Sequence, residues 1–361
     1  MAEKAEKYDI LALLEEAKPL IDRTIEKWVP RKISKEWLES VCGRARYEFD
    51  PEVIQKTILD PFWDFLDRGG KRWRPYLFLL VIEALGKNPE EYLDLVVMPE
   101  VIHNGSIVID DIEDDSKMRR KKPCLHRIFG TDVAINVGTW MFFFPLLPLY
   151  KNKDKFDEKT FQKILQVYAQ EMVNIHFGQA TDIGWHKGWG REITVERYLQ
   201  MCAFKTGTLA RMSAKIAALC AGASDEVVEK LGRFAESVGI AFQIQDDVLN
   251  ISESELAKGK GGIGEDITEG KRTLMVIYTL EKAREEDAKR LEEILDMHTR
   301  DEKLIREAIE IMRRYGAIDF AKEFARNLIR ETWKEVERIL PESEAKQKLK
   351  AFADFLVERE I

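Results

Sequence analysis

Apolar residues recur at helical spacing along nearly the whole chain, and this periodicity limits the possible folds more than any other feature. Near the carboxyl end, for example, Ile305, Ile309 and Met312 lie three or four residues apart, which places them on one face of a helix. Alternation typical of strands is scarce, and short breaks containing Gly or Pro separate helices of ordinary to long length. The pattern predicts a single all-α domain over residues 1–361, with about a dozen helices.

The charge balance argues against several function classes. The chain of 361 residues has 57 Lys and Arg against 65 Asp and Glu, a net charge of −8 at pH 7. Nucleic-acid binders and anionic-membrane binders need a net basic face, so we expect no nucleic-acid partner. The four cysteines are scattered without zinc-ligand spacing, and the first thirty residues lack the apolar block of a signal peptide. Both features indicate a reduced, cytoplasmic protein.

One segment, Val133–Tyr150, carries no charged residue and is almost long enough to cross a bilayer. Asn136, Gly138 and two prolines interrupt it, and a helix that is apolar all round can also lie at the centre of a soluble bundle. We therefore expect a buried core helix and no stable membrane insertion.

An acidic cluster ends one of the apolar helical runs. Five acids occupy the six positions 110–115, and Asp110 and Asp114 lie one helical turn apart. Like charges at that spacing destabilise a helix by about 0.2–0.5 kcal/mol per pair unless a cation compensates. Mg²⁺ would do so, because it binds carboxylate oxygens together with substrate phosphates. A solvated helix end is the alternative for this cluster taken alone.

A second apolar helix carries a similar arrangement. Asp246 and Asp247 follow Gln243, and Asn250 adds another oxygen one turn after Asp246. Two such faces could hold several Mg²⁺ ions around a diphosphate and neutralise its charge as it departs. The pair of clusters therefore predicts a metal-assisted reaction of a diphosphate ester.

Basic residues suited to oxyanions occur in four discrete groups, although each group alone could be a solvated surface. The groups are Gly69–Pro75, Arg119–Arg120, Lys205–Gly207 and Gly270–Thr273. His103 lies seven residues before Asp110, two turns back on the same helix face. The segment 259–264 fits the Gly-x-Gly-x-x-Gly pattern, but no strand precedes it, so we interpret it as a mobile lid and not as a dinucleotide site.

Taken together, these motifs resemble those of the trans-isoprenyl diphosphate synthases. The resemblance rests on Gly-Gly-Lys-Arg-x-Arg-Pro, two Asp-rich motifs, the Arg pair, Lys-Thr, Phe-Gln and Glu-Gly-Lys, in that order over about residues 65–280. It implies a helical bundle around a deep cavity, usually a homodimer. It also implies head-to-tail joining of isopentenyl diphosphate to an allylic diphosphate, with about three Mg²⁺ ions per active site.

The resemblance also implies a role for each motif residue. Direct Mg²⁺ ligands would be Asp110, Asp114 and Asp246, with the metal-bound water supported by Asp111 and Asp247. The allylic diphosphate would be held by Arg119, Lys205 and Lys271, and isopentenyl diphosphate by Lys71, Arg74, His103 and Arg120. The developing carbocation would face Thr206 and Gln243, and the lid lysine would be Lys260 or Lys258.

Several positions depart from the family pattern. Asn250 stands where many members have Asp, which removes a charge but keeps an oxygen. Lys121 replaces the glycine that usually follows the Arg pair. Pro99 falls inside the run that leads to the first Asp-rich motif, and we expect it to break or kink that helix.

Product length depends on the depth of the apolar cavity. Gly105 and Ser106 are small, so no aromatic floor stands just before the first motif, and we expect one lower down, among residues 140–144, with Phe142 or Phe143 closing the cavity. This predicts a C20 product, geranylgeranyl diphosphate. Alternatives are a farnesyl or longer-chain synthase, or a non-catalytic regulatory homologue or partner subunit. A terpene cyclase would not need the isopentenyl site formed by Lys71, Arg74 and His103.

Overall fold

Helices supply almost all of the regular structure in the computed structural model of the chain, which describes residues 8–190, 192–252 and 263–358. The helices of the first half are α1 (Ile10–Trp28), α2 (Lys35–Cys42), α3 (Pro51–Ile54), α4 (Asp60–Leu66), α5 (Trp73–Ala84), α6 (Val97–Glu113), α7 (Leu125–Ile128), α8 (Thr131–Phe143), α9 (Leu146–Lys151) and α10 (Glu158–His186). The predicted all-α class is confirmed.

The second half continues in the same way. Its helices are α11 (Val195–Cys202), α12 (Thr208–Cys220), α13 (Asp225–Asn250), α14 (Glu265–Thr268), α15 (Leu274–Lys282), α16 (Glu285–Asp296), α17 (Glu302–Arg314), α18 (Ala317–Glu337) and α19 (Glu344–Glu358). The described residues thus contain nineteen α-helices. This exceeds the dozen or so expected, because short helical segments join the long ones.

Tighter and wider helical turns connect several of these elements. The 3₁₀ segments are Pro89–Val96 and Lys153–Lys155, and the π segments are Gln55–Leu59 and Ala203–Gly207. Side-chain caps fix where long helices begin: Asp157 accepts the Thr160 N–H at the start of α10, and Ser224 accepts the Val227 N–H at the start of α13. Such caps satisfy amide groups that have no partner within the helix.

A short hairpin follows α6. Its strands, β1 (Met118–Arg119) and β2 (Lys122–Pro123), pair antiparallel. The two turn residues, Arg120 and Lys121, have φ angles of 51° and 64°, as a type I′ hairpin turn requires. Glycine, which the resemblance leads us to expect at position 121, would adopt this positive φ without steric cost.

The hydrophobic core surrounds α12, in which every residue except Lys215 is buried. Helix α13 packs against both α12 and α18. Helices α6 and α8 approach very closely, because a Cβ atom at Gly105 would lie 2.7 Å from the Met141 Cβ and 2.9 Å from the Gly138 carbonyl oxygen. Gly105 is therefore a helix-packing residue and does not open the cavity.

The apolar segment 133–150 differs from the single buried helix that we predicted. It forms α8 and α9, and Ile135, Phe143 and Tyr150 are 47%, 63% and 52% exposed, so only one side faces the core. It is also not the only apolar stretch of this length, because Pro89–Glu113 is likewise long and apolar enough to cross a membrane. In the described chain, 61% of that second window and 50% of the first are buried.

The prediction for Pro99 was wrong. This residue lies in the first turn of α6, directly after the 3₁₀ segment. The first-turn N–H groups of a helix have no intrahelical partner, so proline costs little there. Pro99 therefore marks where α6 begins, and the helix runs unbroken to the acidic motif.

Candidate active site

A cavity of about 1170 Å³ collects motif residues that are far apart in the sequence. Its acidic wall includes Asp110 from α6, Asp114 directly after the end of that helix, Asp182 from α10, and Asp246 and Asp247 from α13. Its basic and polar wall includes Arg119, Arg120, Lys205, Thr206, Gln243 and Lys271. Within the described residues, the cavity thus brings together both Asp-rich motifs, the Arg pair and two lysine motifs.

Asp110 lies at the centre of a charged network. The Lys205 Nζ is 3.3 Å from the Asp110 Oδ1 and 2.5 Å from the Asp182 Oδ2, while the Gln179 side-chain amide donates to Asp110 at 2.7 Å. Burial opposes charge on these groups, but Lys205 and Gln179 hold the pKa of Asp110 below its ordinary value. Burial alone would lower the pKa of Lys205, but the neighbouring Asp110 and Asp182 carboxylates raise it above its ordinary value.

Sequence reasoning missed Gln179 and Asp182. Both lie on α10, three residues apart, and therefore on one face of the helix. A pair of polar residues on one face near the end of a long helix is the sequence feature that could have identified them as site residues.

The π segment that carries Lys205 and Thr206 is wedged between two helices. A Cβ at Gly178 on α10 would overlap the backbone of Phe204 and Lys205, and one at Gly239 on α13 would lie 2.6 Å from the Gly207 Cα. Only glycine permits this approach on both sides. Single π turns are often found at functional sites, and here the turn sets the position of Lys205 over the acidic wall.

Asp111 is not part of the cavity lining in the described chain. It is 1% exposed, and its carboxylate pairs with Arg119 at 2.7 Å. Burial raises the pKa of Asp111 although Arg119 opposes this. The structure therefore gives Asp111 the task of holding Arg119, which does line the cavity.

The second Asp-rich motif is also divided in its contacts. Asp246 and Asp247 both line the cavity, but both Asp247 oxygens also accept hydrogen bonds, one from the Tyr198 hydroxyl and one from the Gln243 amide, each at 2.8 Å. Burial and the nearby Asp266 carboxylate raise the pKa of Asp247. Burial and Asp247 also raise the pKa of Tyr198, so this phenol stays a donor.

The sequence predicts that Asn250 supplies a further oxygen ligand. In the structure its side-chain oxygen accepts the backbone N–H of Asp266 at 3.1 Å, and its carbonyl accepts the N–H of Gly264. Asp266 in turn pairs with Lys271 at 3.0 Å, and Glu269 pairs with the same ammonium at 2.7 Å. Asn250 thus anchors the segment that presents Lys271. Despite burial, Asp266 and Glu269 raise the pKa of Lys271.

The residues predicted to hold isopentenyl diphosphate form a second basic group. Arg120 donates to the Gly69 carbonyl at 2.7 Å and to the Asn104 side chain at 3.0 Å, and burial lowers the pKa of Arg120 to about 10. Burial, Arg74 and Arg120 lower the pKa of His103 well below its ordinary value. A neutral His103 can donate a hydrogen bond to an oxyanion without adding another buried charge.

Arg74 is buried and Lys71 is partly exposed. The Arg74 guanidinium packs 4.2 Å from the Trp73 ring, and the Lys71 ammonium is 5.9 Å from the Phe355 ring of α19. Neither residue is part of the cavity lining in the described chain, and neither is His103. Only Arg120 of this group is.

Arg72, inside the same basic motif, has a different role. It pairs with Asp22 at 2.8 Å and with Glu100 at 2.9 Å, and it donates to the carbonyls of Leu66 and Gly69. Asn104 also donates to Glu100. Arg72 therefore fixes the loop between α4 and α5 and is not available for substrate.

The acidic wall suits Mg²⁺ that is shared with a substrate. Among the described residues, no three acidic, histidine or cysteine side chains converge closely enough to hold an ion by themselves. Mg²⁺ commonly binds one or two carboxylates and completes its shell with substrate phosphates and water. Partial burial and the Asp110 carboxylate raise the pKa of Asp114 to about 7, a repulsion that a divalent ion would relieve.

Two predicted features cannot be placed at the cavity. Lys260 and Lys258 lie outside the described residues, as does most of the predicted lid. Phe143 is 63% exposed on the outside of α8, so it is not a cavity floor. Phe142 is 9% exposed and packs against His176 of α10. It does not line the cavity in the described chain, so its role as the floor stays a prediction.

The fold and the site together define an all-α enzyme that acts on diphosphates, and comparison with known proteins agrees. The sequence model of the Polyprenyl synthetase family matches residues 55–312. A short chain isoprenyl diphosphate synthase of Methanothermobacter thermautotrophicus is 37% identical, over 91% of this chain and 98% of the relative. A geranylgeranyl diphosphate synthase of Saccharolobus solfataricus is 32% identical, over 84% and 91%.

A solved structure extends the likeness to the whole fold. The geranylgeranyl pyrophosphate synthetase of Pyrococcus horikoshii superposes with a TM-score of 0.84 at 33% identity, covering 98% of this chain and 100% of that one. The chain belongs to the polyprenyl synthetase family, the trans-isoprenyl diphosphate synthases, and is a prenyltransferase of that family.

Proposed function

We propose that the protein condenses isopentenyl diphosphate head to tail with allylic diphosphates and releases geranylgeranyl diphosphate, the C20 product. The observation that carries this proposal is the convergence of Asp110, Asp246, Lys205 and Lys271, from four separate segments, on one cavity. The names of the similar proteins support the same reaction class.

The side chains divide the work by charge. Arg119, Lys205 and Lys271 bind the allylic diphosphate, while Lys71, Arg74, His103 and Arg120 bind isopentenyl diphosphate. Asp110, Asp114 and Asp246, together with the substrate, would hold about three Mg²⁺ ions, which would supply positive charge to the departing diphosphate. The allylic carbon loses diphosphate, the isopentenyl double bond attacks it, and the released diphosphate accepts the proton that leaves.

Asp246→Asn tests this assignment, since it removes one charge while keeping the size of the side chain. We expect turnover to fall at least about 100-fold with helical content unchanged. Asp225→Asn is the matched control, because Asp225 begins the same helix, α13, but lies outside the cavity lining and pairs with Lys163 at the surface. Turnover that survives in Asp246→Asn would contradict the metal assignment.

Phe142 is the proposed floor of the cavity. Replacing it with alanine deepens the apolar space, so we expect products longer than C20. Phe143→Ala removes a neighbouring ring of the same size on the exposed side of α8, and its product should stay unchanged. Product sizing by chromatography after dephosphorylation compares the two, and an unchanged product from Phe142→Ala would refute the floor.

We further propose that the enzyme is a cytoplasmic homodimer. Ile135 and Phe143 lie two turns apart on α8, and Val173 and Phe177 one turn apart on α10, and all four are 47–63% exposed. The two helices touch where Phe142 meets His176, so these four side chains form one outer apolar face. A second copy of the chain would bury it.

Analytical ultracentrifugation measures the oligomeric state of the protein directly. Phe177→Asp should convert the dimer to a monomer, because it places a charge in the interface. Met297→Asp, which changes an exposed apolar residue at the end of α16, should leave the dimer intact. A dimer that survives Phe177→Asp would contradict this choice of face.

A further inference from the structure

A buried tyrosine stands beside the reaction cavity without a part in the reaction as described so far. Tyr198 on α11 is 2% exposed, and its hydroxyl donates to the Asp247 Oδ2 at 2.8 Å. A buried phenol usually finds one hydrogen-bond partner. The partner here is a carboxylate of the second Asp-rich motif, which links α11 to α13.

The hydrogen bonds continue from Asp247 to the π segment. The Asp247 Oδ1 accepts from the Gln243 Nε2 at 2.8 Å, and the Gln243 Oε1 accepts from the Thr206 hydroxyl at 2.9 Å. Both oxygens of Asp247 therefore act as acceptors, one toward Tyr198 and the other toward Gln243. Asp247 therefore fixes which end of the Gln243 amide faces it and leaves the amide oxygen for Thr206.

The order of donors has a chemical consequence at Thr206. Its hydroxyl hydrogen is engaged by Gln243, so toward any other neighbour the Thr206 oxygen can act only through its lone pairs. Lone pairs stabilise a developing carbocation, whereas an O–H hydrogen aimed at it would repel it. If the Gln243 amide were turned over, its NH₂ group would donate to the Thr206 oxygen, and the Thr206 hydroxyl hydrogen would be free to point at the carbocation.

We propose that Tyr198 is a positioning residue for prenyl transfer, which acts through Asp247 and Gln243 to hold the Thr206 oxygen as an acceptor toward the carbocation. The inference rests on the proposed function of the cavity. It also gives Asp247 a task distinct from supporting metal-bound water. The benefit arises only when the cation forms, so it affects kcat more than substrate binding.

Tyr198→Phe tests the inference, because it removes one oxygen and keeps the ring. We expect kcat for allylic diphosphate with isopentenyl diphosphate to fall about tenfold. The KM values and the inhibition constant of inorganic diphosphate with Mg²⁺ should stay within about twofold. The matched control is Tyr315→Phe, since the Tyr315 hydroxyl also donates to an aspartate, Asp287, at 2.7 Å, away from the cavity. Its kcat should not change.

A double-mutant cycle separates this role from a general structural one. In a Thr206→Val background, the Tyr198→Phe change should cost no further activity, because the hydroxyl it positions is gone. Losses that multiply would overturn the inference, as would an unchanged kcat in Tyr198→Phe alone.

If Tyr198→Phe loses its cooperative melting transition, Asp247→Asn replaces it in the same cycle. If Asp247 acts through Gln243 on Thr206, the kcat loss of Asp247→Asn vanishes in the Thr206→Val background. If Asp247 supports metal-bound water, the loss persists in that background, and this result would overturn the inference. A wild-type protein that makes no prenyl product would refute the proposed function itself. If the wild-type protein is active but the kcat losses of the two variants multiply, only the proposed positioning role of Tyr198 is refuted.

Discussion

Replacing Glu100 with glutamine should lower the free energy of unfolding by about 3 kcal/mol, because it leaves a buried arginine with too little negative charge. Glu100 and the Arg72 guanidinium are each 3% exposed and lie 2.9 Å apart. Glutamine keeps the shape and can still accept from Asn104, so the change isolates the charge. Asp22, the other partner of Arg72, is 31% exposed, and water screens it.

The matched variant is Asp22→Asn, which we expect to cost about 1 kcal/mol or less. Urea unfolding followed by circular dichroism measures both variants against the wild-type protein. The reasoning depends on the difference in burial between the two carboxylates. A Glu100→Gln loss equal to or smaller than that of Asp22→Asn would refute it.

Further predictions concern the hairpin, the second motif and the acidic wall. Lys121→Gly should stabilise the protein by about 0.5–1 kcal/mol in urea unfolding, since φ is 64° there, and an unchanged or lower stability would contradict the strain. Asn250→Asp should keep kcat within about threefold, because a carboxylate can accept the same Asp266 N–H, whereas Asn250→Leu should lower it. The pKa of Asp114 is raised to about 7 in the folded state, above the ~4 of an unfolded chain, so folded protein binds more protons between these values. Metal-free stability should therefore fall as pH rises from about 4 to 7, and Mg²⁺ should raise the melting temperature more at pH 7.5 than at pH 5. An equal Mg²⁺ effect at both pH values would contradict this.

The parts of the site that rest on short motifs could be predicted from the sequence. Asp110 and Asp114 are one turn apart on any helix, and a second apolar helix with Asp246 suggested a facing wall. Lys205 and Lys271 follow from the same logic, since a cavity for diphosphate needs cations. The structure brings all five to one cavity.

Side-chain direction could not be predicted in the same way. The sequence predicts that Asp111 and Asp247 belong to the metal site. In the structure, Asp111 pairs with Arg119, and Asp247 accepts a hydrogen bond from Tyr198. Phe143 follows Phe142 by one residue, and the 100° step between them places one ring inside and the other outside. Which of the two faces the core depends on how α8 packs.

Boundaries and close contacts were also beyond the sequence pattern. Pro99 predicts a break, but whether the break lies before or within α6 depends on the 3₁₀ segment that precedes it. The π turn that carries Lys205 depends on Gly178 and Gly239 from distant segments. A glycine inside a helix signals close packing but does not identify the partner.

The most direct test of the whole account is to incubate the purified protein with labelled isopentenyl diphosphate, Mg²⁺ and, separately, C5, C10 and C15 allylic diphosphates, and to size the dephosphorylated products. The account predicts a dominant C20 alcohol that disappears when the metal is chelated. A C15 product, or products of C25 and beyond, would contradict the proposed cavity floor. No product from any primer, in a folded sample supplied with Mg²⁺, would contradict the central claim that this cavity carries out prenyl transfer.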